Sequence, residues 1–220
     1  YVNMGNGVNF EYTDSFSFST WVKPLAESGA KYLYSKYTGG RGILIYFNSA
    51  SGAGSNNLYF NLYNTNSGST STRKRITTIT GAIVLPSVWT NIVITYDGSG
   101  LGTGINVYKN GTPETVTVTQ DNLQNQTIAN TEDSYLSSYN GISSFFPGNQ
   151  DEFAIFNTEL AAAKALAIYG LGQPTDLTDL SPSAWYRFEE GSGTTAIDSG
   201  TGGNNGTIEN GATYSTDIPT

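Results

Sequence analysis

Apolar and polar residues alternate with period two along much of the chain, as in strands with one buried and one solvated face. In residues 15–23, Phe16, Phe18 and Val22 share a side with Thr20, while Ser17, Ser19, Trp21 and Lys23 take the other. Residues 42–48 set Ile43, Ile45 and Phe47 against Leu44, Tyr46 and Asn48. Residues 58–63 set Leu58, Phe60 and Leu62 against Tyr59, Asn61 and Tyr63, and residues 89–96 carry Ile92, Ile94 and Tyr96 on one side. A sheet with one apolar face must bury it under another layer, so the pattern predicts an all-β fold of two packed antiparallel sheets. Asn110-Gly111, between runs 105–109 and 115–119, predicts a hairpin, because a tight turn there needs positive φ at both central residues. Gly39-Gly40, Gly52-Ala53-Gly54 and Gly98-Ser99-Gly100 mark further loops. One stretch departs from the alternation. Residues 158–170 join an N-cap candidate, Thr158, to strong helix formers and a closing Gly170, which predicts one short helix of about three turns against the sandwich. Trp21 is expected to be buried. Residues 173–182, with Pro174 and Pro182, read as a polar linker.

Composition narrows the chemistry. The 220 residues hold 18 Asp or Glu against 10 Lys or Arg, a formal charge of −8. That balance argues against nucleic acid as a partner, since phosphate binding draws on clustered Lys and Arg. The basic run Arg73-Lys74-Arg75 reads as a solvated loop or edge strand. With no Cys and no His, there is no disulfide, thiol nucleophile, imidazole base or zinc site of the usual ligands. No apolar run approaches the ~18 residues of a membrane span, so no membrane partner is expected. The 26 Gly, 15 Tyr and 10 Phe suit many short strands joined by polar turns. A chain of this length buries roughly 70% of its unfolded surface, enough for one core. It opens on Tyr1 without a charged-then-apolar leader, as expected of a fragment or a processed product.

Several strings carry a family likeness. Tyr1-Val-Asn-Met-Gly-Asn, then Asp14 to Pro24, resembles the opening strands of laminin-G-like domains. Trp89 to Asp97, followed by Ile105 to Gly111, resembles their central strand and hairpin, and Gly148 to Asn157 resembles their closing strand. The resemblance spans residues 1–170 and implies the jelly roll of the concanavalin A-like lectin/glucanase superfamily, with the domain assigned to residues 1–172. Residues 183–220, with Trp185-Tyr-Arg-Phe188 and Asp198-Ser-Gly200, look like the first strands of such a domain placed at the wrong end. Three arrangements are open. The tail completes its own sandwich as a circular permutation, opens a second repeat, or completes a neighbouring subunit by strand exchange. The linker followed by a Trp-Tyr-Arg-Phe strand also resembles modules of marine bacteriophage structural proteins.

Relatives with this fold include glycosidases, which need two carboxyl groups roughly 5–10 Å apart. The glucanases place theirs in an alternating acidic run on one strand, which this chain lacks. Its doublets Asp151-Glu152 and Glu189-Glu190 are adjacent, and neighbours on a strand point to opposite faces. No catalytic residues are assigned. For a structural calcium ion, which takes six to eight oxygen ligands, the resemblance points to Asp151 and Asp198, with Asn204; an Asx turn and a strand cap are the simpler readings. For a glycan, the polar sides of three segments offer Tyr34 and Lys36, then Tyr46, then Tyr59 and Asn61, a stripe whose rings stack on sugar faces. A face of Tyr chosen for strand propensity, under a covering loop, is the alternative. Asn110, Asn125 and Asn205 head sequons that read as turn chemistry. The expectation is a non-catalytic virion or extracellular structural protein, of capsid-decoration or fibre type, with glycan-mediated adhesion. Its expected partners are other virion or surface proteins and glycans, in an oligomer. The alternative is a carbohydrate-binding module of a secreted or cell-surface bacterial adhesin or enzyme.

Overall fold

A computed structural model describes residues 1–26, 28–49, 56–64, 75–123 and 125–220. The Gly52-Ala53-Gly54 loop and Arg73-Lys74 of the basic run lie outside the described residues. The chain begins with β1 (Val2–Asn3), β2 (Phe16–Pro24), β3 (Gly29–Thr38), β4 (Arg41–Ser49) and β5 (Asn56–Asn64). Next come β6 (Arg75–Val84), β7 (Thr90–Tyr96), β8 (Ile105–Lys109), β9 (Thr112–Pro113), β10 (Val116–Asp121) and β11 (Tyr135–Leu136). Then follow β12 (Gly148–Phe156), helix α1 (Ala162–Tyr169), and the short strands β13 (Ala184–Tyr186), β14 (Thr195–Ala196) and β15 (Gly206–Ile208). Among the described residues they form two antiparallel sheets. One has nine strands in the order β10-β6-β5-β4-β3-β11-β1-β15-β14, and the other has six in the order β13-β12-β2-β7-β8-β9.

The alternating apolar sets meet where the pattern predicts. Phe16, Phe18 and Val22 of β2 and Ile92, Ile94 and Tyr96 of β7 share one buried cluster with Ile43, Ile45 and Phe47 of β4 and Leu58, Phe60 and Leu62 of β5. This is the core of a jelly-roll sandwich. A second apolar layer lies outside the six-stranded sheet, where Val93, Ala154, Phe156 and Trp185 pack beneath Leu160, Ala165 and Ile168. Trp21 belongs on that side, buried, with its ring stacked on Tyr169 at 5.8 Å.

The helix is a turn shorter than expected at its start. The Ser17 hydroxyl accepts the Leu160 N–H at 2.9 Å and donates to the Thr158 carbonyl at 2.8 Å, so residues 158–160 are held on β2, outside the helix. Gly170 closes the helix at φ +58°, the left-handed conformation that ends many helices. The Asn110-Gly111 turn forms with φ +49° and +72°. Its second arm differs from expectation, because only β9 pairs with β8, while β10 crosses to the nine-stranded sheet and pairs with β6.

Residues 183–220 dress an edge of each sheet. β13 pairs with β12, setting Ala154 opposite Trp185, and β15 pairs with β1, setting Val2 opposite Ile208. The Tyr1 hydroxyl donates to the Glu209 carboxylate at 2.6 Å, so Tyr1 lies beside the residue that follows β15.

Candidate functional site

The outer face of the nine-stranded sheet carries a tyrosine cluster. Tyr46 and Tyr59, opposite each other on β4 and β5, stack at 4.9 Å with rings only 4° from parallel. Tyr32 on β3 lies 4.9 Å from Tyr46 and 5.0 Å from Tyr139. Tyr37 and Tyr63 meet edge to face at 5.1 Å, and the Arg75 guanidinium sits 5.7 Å from the Tyr63 ring centre. Tyr32, Tyr46, Tyr59 and Tyr139 are half-buried, each keeping part of its ring in water. Burial and the neighbouring phenols raise the pKa of Tyr32; burial raises that of Tyr46, which the nearby Asn61 amide partly opposes. Both phenols therefore stay neutral and keep a donor hydrogen.

Three of the five stripe residues differ from expectation. The β3–β4 register slips by one residue after Tyr32, which pairs with Tyr46, so that Tyr34 pairs with Ile45. This bulge turns both Leu33 and Tyr34 into the core, and Tyr34 is fully buried against Phe18 and Phe153. Lys36 follows Tyr34 inward. Its ammonium is held by the Glu132 carbonyl at 2.5 Å and by the Asn6 side-chain oxygen, and burial lowers its pKa to about 8. Asn61 does lie on the outer side of β5, but its amide is covered. The bulge also brings out Tyr37, which strict alternation hides, and Tyr139 arrives from a segment remote in sequence. No local pattern marks either.

The calcium residues do not form one donor set. Asp198 Oδ1 accepts the backbone N–H groups of Trp185 and Gly200, both at 2.8 Å, and its Oδ2 accepts that of Asn204 at 2.9 Å. The carboxylate thus orders the tail by an Asx-type turn. Asn204 is exposed, and its backbone carbonyl accepts the Tyr186 hydroxyl at 2.5 Å. Asp151 sits on β12, its Oδ1 accepting the Glu152 N–H at 2.9 Å. Among the described residues no three acidic side chains are placed to hold a metal ion.

Asp151 and Glu152 correct a second expectation. Glu152 has φ +47°, and a bulge between Asp151 and Ala154 turns both side chains to the outer side of the six-stranded sheet, where they line one depression of about 260 Å³. Glu152 accepts the Trp185 indole N–H at 2.6 Å and lies 3.6 Å from Arg187. Burial, reinforced by the Glu152 charge, pushes the Asp151 carboxyl up to about 7.

Asp151 also borders a cleft of about 910 Å³ at one end of the sandwich. Trp89, Phe145 and Tyr214 supply aromatic walls, and Asn149, Gln150 and Glu189 supply polar groups. The C-terminal segment forms one rim. It is tied down by Asp217, which accepts hydrogen bonds from Lys23 at 2.7 and 2.8 Å, from Asn149 at 3.2 Å and from Trp89 at 3.2 Å. The Lys23 and Trp89 hydrogen bonds lower the Asp217 pKa.

A laminin-G family model of the concanavalin A-like lectin/glucanases superfamily matches residues 1–165. The chain belongs to that superfamily. No curated protein matches this superfamily member in sequence. Among solved structures, a candidate carbohydrate binding protein from Bacteroides ovatus is similar at 15% identity and a TM-score of 0.61, over 96% of this chain and 56% of that one. A heptameric SAP-like pentraxin from Limulus polyphemus is similar at 14% identity and a TM-score of 0.53, over 76% and 74%. The binding domain of botulinum neurotoxin serotype G is similar at 18% identity and a TM-score of 0.52, over 78% and 37%. The chain thus spans about half of the Bacteroides protein and about a third of the toxin domain. At these identities the likeness is one of fold.

Proposed function

We propose that this chain is a non-catalytic carbohydrate-binding module that works outside the cell. The observation that supports this most is the tyrosine ladder: partly exposed rings from β3, β4 and β5, in register on the outer face of the larger sheet. Part of the outer face of the other sheet is covered by α1. Aromatic rings present an apolar body to the C–H faces of a sugar and a hydroxyl to its polar rim. Tyr32, Tyr46 and Tyr59 are the assigned contacts, with Asn61 as a positioning residue. The superfamily and the described role of the Bacteroides neighbour agree with a glycan ligand. The expectation of a virion structural role, and the likeness to bacteriophage modules, draw no support from the family match or from these structures, so the carbohydrate-binding alternative is preferred. The non-catalytic reading rests on the absence of an alternating acidic run and on Glu152, whose carboxylate is engaged by Trp185 and Arg187.

Glycan-array screening followed by calorimetry tests this. Tyr46→Ala and Tyr59→Ala are expected to weaken binding about tenfold each, or ~1.4 kcal/mol. Tyr34→Phe, a change inside the core, is expected to leave affinity unaltered. Absence of any glycan ligand, or binding indifferent to both alanine variants, would overturn the assignment. Release of reducing sugar that Glu152→Gln abolishes would overturn the non-catalytic reading.

A further inference from the structure

We propose that the end cleft is a second, separate sugar site, selective for oligosaccharides that carry a free amine. Its room is of the right order, since ligand pockets usually span roughly 300–1,000 Å³ and this one holds about 910 Å³. Its walls are of the right kind. Trp89 and Tyr214 are half-buried and Phe145 is 38% exposed, so ring surface is open to a pyranose, and Asn149 stands beside it with a carboxamide suited to hydroxyls.

Charge decides which sugar. Among the described residues no lysine or arginine lines the cleft, whereas Asp151, Glu189 and Asp217 do. Asp217 is neutralised by Lys23. Arg187 lies 3.6 Å from Glu152 and 5.1 Å from the Trp185 ring centre. The α-amino group of Tyr1 is directed at the Glu209 carbonyl at 3.2 Å. Arg187 shares the 260 Å³ depression with Asp151 and Glu189 and partly offsets the Asp151 charge, but it does not line the cleft.

Asp151 is the sharper of the two. It is only 8% exposed, yet its carboxylate receives one hydrogen bond, at Oδ1 from the Glu152 backbone, and Oδ2 has no partner among the described residues. Oδ2 is not among the fully covered oxygens, so it is open to a donor. An ammonium group brings three donors and the opposite charge, while an N-acetylated amine brings one donor and no charge, and an acidic sugar brings repulsion. The cleft therefore ranks amine-bearing sugars first, neutral ones second and acidic ones last. This site and the tyrosine ladder are built from different residues, so either assignment can fail alone.

Calorimetry on the full chain at neutral pH separates the outcomes, with a β-1,4-linked glucosamine trimer and its fully N-acetylated counterpart as probes. The free-amine trimer is expected to bind at least about tenfold more tightly. Asp151→Asn, Glu189→Gln and Phe145→Ala should each reduce that affinity severalfold, with thermal melts confirming that the variants fold. Leu171→Ser, at an exposed position outside both sites, should leave it unchanged. Equal affinity for the two trimers, or no binding by the unaltered chain, overturns the proposal. So does amine binding that survives all three cleft substitutions, which would be diffuse attraction to the net charge of −8.

Discussion

Two aspartates show how little an acidic residue says until its hydrogen bonds are known. Asp198 looks like a metal ligand in sequence, yet three backbone N–H groups occupy its carboxylate. Removing it leaves those buried or half-buried donors unsatisfied. Asp198→Ala is therefore expected to lower stability by roughly 2–4 kcal/mol, read as a reduced urea midpoint, whether or not calcium is added. Asp151 behaves oppositely. Its carboxyl is held near 7 in the folded chain by burial and then by Glu152, against about 3.9 when unfolded. The folded state thus binds more protons between about pH 4 and about pH 7, and this group's contribution to stability is lost as pH rises through that window. Asp151→Asn should flatten that slope and stabilise the chain above neutrality by on the order of 2–3 kcal/mol. Urea titrations across that pH range check this; a variant with an unchanged slope would contradict it. Neither aspartate's role was legible in sequence, because each depends on groups brought in by remote strands.

Elements were more legible than their edges. The inward positions of β2, β4, β5 and β7 follow directly from period-two alternation, because each strand keeps one face on a single core. β6 escaped that signal because Thr78 and Thr80 hold inward positions. They are tolerated there since Thr78 donates to the Phe60 carbonyl at 3.4 Å and Thr80 accepts the Leu58 N–H at 3.2 Å. Two bulges then displaced Tyr34, Lys36 and the Asp151-Glu152 pair, and no residue type nearby announces either. The helix start was displaced by Ser17, which captures the backbone that would have formed its first turn. What α1 contributes is cover for the six-stranded sheet. Ile168, 3% exposed against Trp185 and its neighbours, is the anchor to test. Ile168→Ala should cost about 2–4 kcal/mol through lost contact and a cavity, measured by thermal or urea unfolding. A loss below about 0.5 kcal/mol would mean that the layer collapses to fill the space.

For the whole molecule the decisive segment is the tail. Ala184, Tyr186, Ala196 and Ile208 enter the main core and Trp185 enters the layer beneath the helix, while β13 and β15 cover the free edges of β12 and β1. We propose that these residues complete the sandwich within one chain. A 1–182 truncation would then expose both edges together with part of each apolar cluster, and should lose its cooperative melt and associate. Light scattering on both forms checks this. A truncation that stays folded and monomeric would assign the tail to another repeat. An assembled full chain, whose truncation is rescued by added tail peptide, would favour exchange between subunits.

The sequence by itself determined the sandwich, its inward faces, its turns and the lack of Cys and His chemistry, because these depend on short-range periodicity and residue type. It also placed a tyrosine-rich face opposite the core. Only the tertiary structure decided which tyrosines occupy that face, since one inserted residue in β3 reverses the direction of all that follow until the strand ends. Tertiary contacts likewise decided that Asp198 binds backbone, that the Asp151 carboxylate accepts a single hydrogen bond, and that segments 145–151 and 210–218 enclose a cleft. Those properties arise where residues far apart in the chain meet, and no local pattern encodes that meeting.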